Sequence, residues 1–242
     1  MQSSSARPVV VSALVQAAAG RLAAGEPILV YDAPDREGET DLMVLSEEMT
    51  PELVRLLRRD GGGLICTAIS QELRRLLGLP YAEELLQGAA EFPEMARLAR
   101  YRPRYDRRSA FGISVNHREN FTGVTDNDRA RTIRALGSIA RAAGRVPDAA
   151  LRARFADEFS APGHVPLLYA APGLLSERKG HTELSISLAR MAGLSESVTV
   201  CEMLGDSGGP RGPEAAQRYA AAHGYLFIEG RSLLEAWGRW SA

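Results

Sequence analysis

The chain has 242 residues, of which 45% are hydrophobic and 24% are charged, and its formal net charge is -1. This composition is typical of a globular protein, and the balanced charge gives no indication of a nucleic-acid-binding surface. No apolar run approaches the roughly 18 residues that a membrane-spanning helix requires. The two cysteines, Cys66 and Cys201, form neither a disulfide framework nor a CxxC metal site. We therefore expect a cytoplasmic protein without nucleic-acid or membrane partners.

Helices and strands are predicted to alternate through the first third of the chain. A disordered leader at residues 1–8 precedes a helix at 10–24. Thr50 and Ser70 each precede a helical pattern and suit the N-cap position of that helix, with Pro51 at the first helical position. The predicted elements after the first helix are strands at 27–32 and 40–46, a helix at 51–60, a strand at 63–69 and a helix at 71–78.

The alternation continues through the rest of the chain. Residues 81–108 are rich in Arg, Glu and Ala and are broken by prolines, which indicates a helix plus a surface loop. The alternating residues 111–115 are typical of a half-buried strand, and residues 144–160 are interpreted as a polar excursion. The other predicted elements are strands at 165–170, 198–204 and 225–228, and helices at 126–143, 182–192, 213–223 and 232–240.

No internal repeat and no interdomain linker interrupts this pattern. It predicts a single domain at residues 9–242. The fold class is α/β (α+β), with helices flanking a central mixed, twisted sheet.

A dense cluster of charge lies between the first two predicted strands, where residues 35–41 read DREGETD. Carboxylates this close repel one another unless a cation compensates them. Carboxylate oxygens are natural ligands of a hard divalent cation. The cluster is therefore either a cation site or a solvated acidic turn.

Two glycine-containing stretches can approach a ligand. Glycines 61–63 precede the strand that carries Cys66 and permit close backbone approach, although a helix C-cap before a small buried cysteine accounts equally for them. Residues 120–129, NFTGVTDNDR, place Thr122 just before a helix start, where backbone N–H groups can bind a phosphate. Taken alone, the second stretch is better explained as a plain N-cap formed by Thr125 or Asp126.

The strongest phosphate-binding pattern is residues 178–183, RKGHTE. Two cations and a glycine lead into a helix start, so that their charge adds to the helix dipole. His181 at that start is placed to ligate a metal through a neutral imidazole, although a single histidine can also be structural.

His164 and Glu202 are the remaining candidates. His164 follows Pro162-Gly163, and Glu202 lies inside an apolar strand. A desolvated glutamate has a raised pKa, which suits a general acid or base. The alternative for Glu202 is a salt bridge to an arginine.

Six of these motifs, in this order, closely resemble the 3,4-dihydroxy-2-butanone 4-phosphate synthase family of riboflavin biosynthesis, and more its archaeal-type branch than the common bacterial one. They are DREGETDLM, GGLICTA, FGISVNHRENFTGVTDNDRA, APGHVPLL, RKGHTE and CEMLGD. The resemblance implies the family's α/β fold and a homodimer with active sites near the interface. It also implies magnesium or manganese as cofactor, with two ions per site.

The same resemblance implies a lyase that converts D-ribulose 5-phosphate to L-3,4-dihydroxybutan-2-one 4-phosphate and formate. The family's route is enolisation at C3, loss of the C1 hydroxyl, a skeletal rearrangement and release of C4 as formate. Acid and base groups must move protons during these steps.

Matched position by position, the family pattern also implies individual roles. Glu37 and His181 match metal ligands, and Arg178 and Thr182 match residues that hold the phosphate. The catalytic positions are His164, Glu202 and Asp41, of which Asp41 is a candidate for the first proton abstraction. The substrate-binding positions are Arg36, Glu37, Asp41, Cys66, Thr122, Arg178, Lys179, Gly180, His181, Thr182 and Glu202.

The chain departs from the family pattern at Pro34 and at residues 207–210, SGGP. The first departure stiffens the acidic loop, and the second alters the turn after CEMLGD. Two alternatives to the lyase therefore stay open. One is a paralogue that acts on a related sugar phosphate in a specialised metabolite pathway, and the other is a non-catalytic sugar-phosphate-binding protein.

Overall fold

The structure, a computed structural model, describes residues 12–100, 102–104 and 106–241. The predicted leader at 1–8 and the start of the first predicted helix lie outside these residues. The strands are β1 (Ile28–Tyr31), β2 (Thr40–Leu45), β3 (Cys66–Ile69), β4 (Phe111–His117), β5 (Phe159–Tyr169), β6 (Ser197–Glu202) and β7 (Leu226–Glu229).

Ten α-helices occur in the part of the chain that the structure describes, with short 3-10 helices at Ser46–Glu48 and Leu174–Ser176. The helices are α1 (Ala13–Ala23), α2 (Pro51–Asp60), α3 (Gln71–Leu77), α4 (Ala82–Gly88), α5 (Pro93–Leu98), α6 (Asp126–Ala142), α7 (Asp148–Glu158), α8 (His181–Met191), α9 (Pro213–His223) and α10 (Gly230–Trp240). As predicted, Thr50 and Ser70 are N-caps whose side chains accept hydrogen bonds from backbone N–H groups. No helix in the described ranges is long and apolar enough to cross a membrane.

The seven strands form one mixed, open sheet in the order β4-β5-β3-β6-β2-β1-β7. The central pairs β3-β6, β6-β2 and β2-β1 are antiparallel, whereas β1-β7 and β3-β5 are parallel. The predicted fold class, a mixed sheet flanked by helices, is confirmed.

Both faces of the sheet are covered, so the central strands are apolar on both sides. In β2, Leu42 and Val44 pack into a cluster with α2, α6 and α9, while Met43 and Leu45 pack into a second cluster with α1, α8 and α10. This is why residues 42–45 form a continuous apolar run instead of an alternating one.

Helix α8 is the most deeply buried helix among the described elements. Ten of its eleven residues are buried, and only Arg190 is not. Because the whole helix is enclosed between the sheet and its neighbours α1 and α10, its first turn is held rigidly over one end of the central strands.

Two predictions for the stretch before β5 are wrong. The segment 144–160 contains α7, which the sequence does not signal because only Leu151 of that helix is buried and no apolar stripe forms. Strand β5 begins at Phe159 instead of residue 165, since its first residues pair with Asn116 and His117 across a bulge. His164 therefore lies within a strand and not in the loop before it.

A glycine allows α6 to pack directly on the backbone that follows β2. A Cβ atom at Gly137 would lie 2.2 Å from the backbone nitrogen of Glu47. We expect Gly137→Ala to destabilise the protein by about 1–3 kcal/mol, because the helix must move away from that backbone. Urea unfolding followed by circular dichroism measures this loss.

Gly20 in α1 provides the matched control, since a Cβ there would meet no atom within 4 Å. Gly20→Ala should leave the protein equally stable or raise its unfolding free energy by about 0.5–1 kcal/mol. Equal unfolding midpoints for the two variants would show that the close contact at Gly137 does not constrain the packing of α6.

Candidate active site

Four elements meet at one end of the central strands. The β1–β2 loop carries the acidic cluster, α8 begins there, β6 ends there and β3 begins there. In the β2–β6 register Asp41 lies directly opposite Glu202. The cleft at this end is lined by Glu37, Asp41, Leu64, Cys66, Pro103, Asp106, Arg108, Ser109, Ala110, Phe111, Leu168, Arg178, His181, Thr182, Val200 and Glu202.

Asp32, at the end of β1, organises the acidic loop. Its carboxylate accepts hydrogen bonds from the backbone N–H of Glu37 at 3.1 Å and of Glu39 at 3.0 Å. It also lies 3.3 Å from Arg36 Nη1, and Gly38 turns the loop with φ of +69°. Asp32 is not among the site residues predicted from the sequence. Its position at a strand end, four residues before Arg36, could have indicated that it orders the acidic loop.

The loop brings carboxylates to the buried His181. Its Nδ1 lies 3.4 Å from Asp41 Oδ1 and 3.6 Å from Glu37 Oε2. Possible ligand atoms of Asp32, Glu37 and His181 all lie within 4.8 Å of one another. The buried atoms His181 Nε2 and Asp41 Oδ1 find no hydrogen-bond partner among the described residues. This set of oxygen and imidazole donors fits a divalent cation of the magnesium or manganese type.

The electrostatics also favour a cation at this point. Burial raises the pKa of Asp41 to about 7, although the imidazole of His181 opposes the shift. Burial alone would lower the pKa of His181, but Asp41 and the other carboxylates outweigh it and raise that pKa to about 9. Burial, together with the Glu37 carboxylate, raises the pKa of Glu202. Burial is the main cause of both raised carboxyl pKa values, and a nearby cation would oppose it by stabilising the charged forms.

A second polar cluster lies beside the first turn of α8. The guanidinium of Arg178 is held between Glu183, 2.5 Å away, and Asp106, 2.7 Å away. Arg36 also reaches Asp106, at 2.9 Å. A Cβ at Gly180 would lie 2.4 Å from the Arg178 guanidinium and 2.6 Å from that of Arg36. Both guanidiniums therefore lie close to the glycine backbone.

Glu183 and Asp106 have no place in the candidate set derived from the sequence. Glu183 is fully buried and accepts a hydrogen bond from the Ala171 N–H at 2.8 Å, so it anchors Arg178 to the loop that follows β5. Its position directly after His181-Thr182 was visible in the RKGHTE motif. Asp106 lies in a poorly patterned loop, and its sequence context carries no comparable signal.

Two other predicted binding residues of this region differ in environment. Thr182 is buried in the cleft lining, whereas Lys179 is exposed and does not line the cleft. Cys66 also lines the cleft, and burial raises the pKa of its thiol far above the ordinary range. Cys66 is therefore protonated and supplies shape instead of a nucleophile.

His164 and Thr122 lie outside the cleft lining, in a separate cluster on the β4–β5 edge. Both are exposed. The backbone N–H of His164 donates to Asn116 Oδ1 at 2.9 Å, and its Nδ1 lies within 3.3 Å of the same side chain. Thr122 Oγ1 donates to Asp128 at 3.2 Å. Within one chain, the structure does not bring these two residues into the cleft with the others.

Strand β5 bulges next to His164, because the β4–β5 pairing steps from Val115↔Val165 to Asn116↔Ser160. Leu64, which precedes β3, lines the cleft and is 50% exposed.

The two departures from the family pattern carry no charged side chain. Pro34 is exposed in the β1–β2 loop. Residues 207–210 form a small turn in which Gly208 has φ of +86° and Leu204 bridges to Pro210. Neither segment contributes to the cleft lining.

This chain matches known proteins in both sequence and fold. A family model described as 3,4-dihydroxy-2-butanone 4-phosphate synthase matches residues 16–236. The synthase of that name from Methanothermobacter thermautotrophicus is 43% identical over 226 residues, which cover 93% of this chain and 96% of the relative. The one from Archaeoglobus fulgidus is 44% identical over 216 residues, covering 87% of this chain and 88% of the relative.

Solved structures of similar proteins agree with the sequence matches. A 3,4-dihydroxy-2-butanone 4-phosphate synthase from Candida albicans superposes with a TM-score of 0.69 at 29% identity, covering 91% of this chain and 95% of the other. A synthase solved in complex with two magnesium ions superposes with a TM-score of 0.68 at 25% identity, covering 88% of this chain and 91% of the other.

Binding of a divalent cation to this site is expected to depend on pH. Asp41, with a pKa of about 7, and His181, with a pKa of about 9, both carry protons in acid solution, and a cation must displace them. The apparent Kd for Mg²⁺ should therefore fall about tenfold or more from about pH 6 to about pH 8. Calorimetry in buffers of different ionisation enthalpy measures both the affinity and the protons released.

Glu37→Gln is the matching ligand variant. Replacing the Glu37 carboxylate by a neutral amide should weaken Mg²⁺ binding about tenfold or more. Glu235→Gln, at an exposed position on α10, is the control and should leave Mg²⁺ binding unchanged. A Kd that is independent of pH, or equal in the two variants, would contradict the assignment of this cluster.

Proposed function

We propose that the cleft beside α8 is the active site of a lyase of riboflavin biosynthesis, because this chain belongs to the 3,4-dihydroxy-2-butanone 4-phosphate synthase family. The lyase converts D-ribulose 5-phosphate to L-3,4-dihydroxybutan-2-one 4-phosphate and formate. One observation carries the proposal. Asp41 and Glu202 lie opposite each other beside His181, next to two guanidiniums that converge over Gly180.

The phosphate of the substrate is proposed to bind at the first turn of α8. Backbone N–H groups and the positive end of the helix dipole favour an anion there. Arg178 supplies a planar guanidinium that suits phosphate oxygens, and Thr182 supplies a hydroxyl in the cleft lining. Arg36 lies on the same side of the cleft, Gly180 admits both guanidiniums, and Lys179 adds positive charge at the exposed rim.

Glu37 and His181 are the residues that would hold the divalent cation, with Asp32 close enough to support them. When bound, the cation polarises the sugar carbonyl and compensates negative charge on neighbouring sugar oxygens. We propose magnesium or manganese, with two ions per site. Support for the number comes from the related structure in complex with two magnesium ions and from the number of carboxylates around His181.

Asp41 and Glu202 are proposed to move protons. Asp41 is buried with a pKa near neutrality, which matches a base for the initial enolisation at C3. Glu202 has a raised pKa and lines the cleft on the opposite strand, so it can donate a proton as the C1 hydroxyl leaves and exchange protons in later steps. Cys66 lies beside both and excludes water from the sugar.

The functional unit is proposed to be a homodimer. His164 and Thr122 match family positions for catalysis and substrate binding, yet they lie on the exposed β4–β5 edge outside the cleft of their own chain. In a homodimer that places the cleft near the interface, His164 and Thr122 of one chain complete the site of the other. Residues 9–242 then act as one catalytic domain. The two free, buried cysteines agree with a cytoplasmic location.

Loss of the Glu202 carboxylate should abolish turnover without unfolding the protein. With ribulose 5-phosphate and Mg²⁺, the unaltered protein should release formate, and Glu202→Gln should lower kcat about 100-fold or more because a proton-transferring group is lost. Formate is measured with a coupled dehydrogenase, and circular dichroism checks the fold. Glu235→Gln should retain full activity. Absence of formate from the unaltered protein at every metal concentration would sink the lyase assignment.

Shared sites predict complementation between inactive variants. Homodimers of His164→Ala and of Glu202→Gln should each be inactive, but mixed and re-associated dimers should recover up to about a quarter of normal activity, since half are heterodimers with one intact site. The readout is formate release after mixing, and native mass spectrometry confirms subunit exchange. If exchange occurs without any recovery, both residues act in the same chain.

A further inference from the structure

The cleft contains an anion that belongs to the protein itself. Asp106, in the segment between α5 and β4, places one carboxylate oxygen 2.9 Å from Arg36 Nη2, 2.9 Å from Arg178 Nε and 2.7 Å from Arg178 Nη2. Its side chain is only 9% exposed. The proposed reaction assigns no role to Asp106, although it contacts two residues proposed to bind the substrate.

Asp106 lies where the local charges favour an anion. Both guanidiniums cross the backbone of Gly180 at the start of α8, and the helix terminus adds positive partial charge. The side chains of Arg36 and Arg178 are 8% and 17% exposed, so water compensates their charge poorly. A single oxygen that accepts from two guanidiniums is also the arrangement that a phosphate oxygen adopts.

The segment that carries Asp106 covers one side of the cleft. Pro103, Ser109 and Ala110 line the cleft with it. At its C-terminal end, Arg108 is anchored by Glu83 at 2.8 Å and by the Tyr81 ring, whose centroid lies 3.5 Å away. Nearer its middle, the buried contacts of the described residues are the ion pairs of Asp106, so this carboxylate fastens the segment over the cleft.

We infer that Asp106 is a built-in competitor for the phosphate subsite, which the phosphate of the substrate must displace. This inference rests on the phosphate-binding role proposed above for Arg178. A tethered carboxylate competes at a high effective concentration, so only an anion that gains more from the two guanidiniums replaces it. A phosphate dianion meets that condition. A neutral sugar does not meet that condition, so Asp106 selects phosphorylated over unphosphorylated sugars. The segment that carries Asp106 is released only when phosphate binds.

The decisive variant is Asp106→Asn, tested with inorganic phosphate as the probe. Removing the competitor raises the fraction of binding-competent cleft, so phosphate should bind about tenfold more tightly by calorimetry. Asp157→Asn, an exposed position on α7, is the charge-matched control and should bind phosphate as the unaltered protein does. Equal or weaker binding by Asp106→Asn would show that Asp106 organises the anion site instead of competing for it, and would overturn the inference.

Limited proteolysis tests the same inference through the exposure of the segment. Arg104 and Arg107 are exposed in the segment and are trypsin targets. Phosphate should accelerate cleavage after these residues in the unaltered protein, because the segment is released when Asp106 is displaced. In Asp106→Asn, cleavage should already be fast without phosphate. If phosphate slows cleavage of the unaltered protein, or leaves it unchanged, the carboxylate is not displaced and the inference is wrong.

The two proposals fail in different ways. If formate is released normally but phosphate affinity does not rise in Asp106→Asn, the competitor is refuted and the lyase stands. If no formate is released while phosphate still displaces the segment, the competitor is correct and the assigned reaction is wrong.

Discussion

Compensation of buried charge is the constraint on which the site depends. Asp41 is 2% exposed and His181 is 6% exposed, and neither can be solvated by bulk water. Carboxylates in such surroundings must be protonated, paired with a cation or bound to a metal. The acidic loop is kept together because Asp32 accepts hydrogen bonds from its backbone and because Arg36 crosses it. The pKa of Asp41 and of Glu202 is raised chiefly by burial, and a bound cation would stabilise the charged forms of both carboxyls.

The fold supplies a rigid platform for these charges. A sheet that is apolar on both faces fixes β2 beside β6, and their register sets Asp41 against Glu202. The enclosure of α8 holds His181 and the turn proposed to bind phosphate over the same strand ends. Packing that is as tight as that at Gly137 resists displacement, so the positions of the charged groups follow from the hydrophobic core.

The cationic side of the cleft balances the acidic side through two residues that are absent from the predicted site set. Glu183 binds Arg178 from helix α8, and Asp106 binds it from the covering segment. Both arginines therefore have an anionic partner before substrate arrives. His164 and Thr122 are exposed on the β4–β5 edge, outside the cleft lining of their own chain.

Much of this protein was readable from the sequence. Local signals determined the caps at Thr50 and Ser70, the buried run of β2 and the start of α8, because capping and apolar periodicity act over a few residues. The six motifs in order identified the family and the residues to examine. The sequence pattern failed for α7, which buries only Leu151 and so lacks a stripe, and for the extension of β5, which depends on pairing with a distant strand.

Only the tertiary structure decided which charges meet. Glu37 and His181 are separated by most of the chain, and no spacing rule could pair them. The anchoring roles of Asp32, Glu183 and Asp106 likewise depend on hydrogen bonds and ion pairs formed after folding. So does the separation of His164 from the cleft of its own chain. Sequence determines which groups are available, whereas the register of the sheet and the burial of α8 determine their distances, and electrostatic interaction depends on distance.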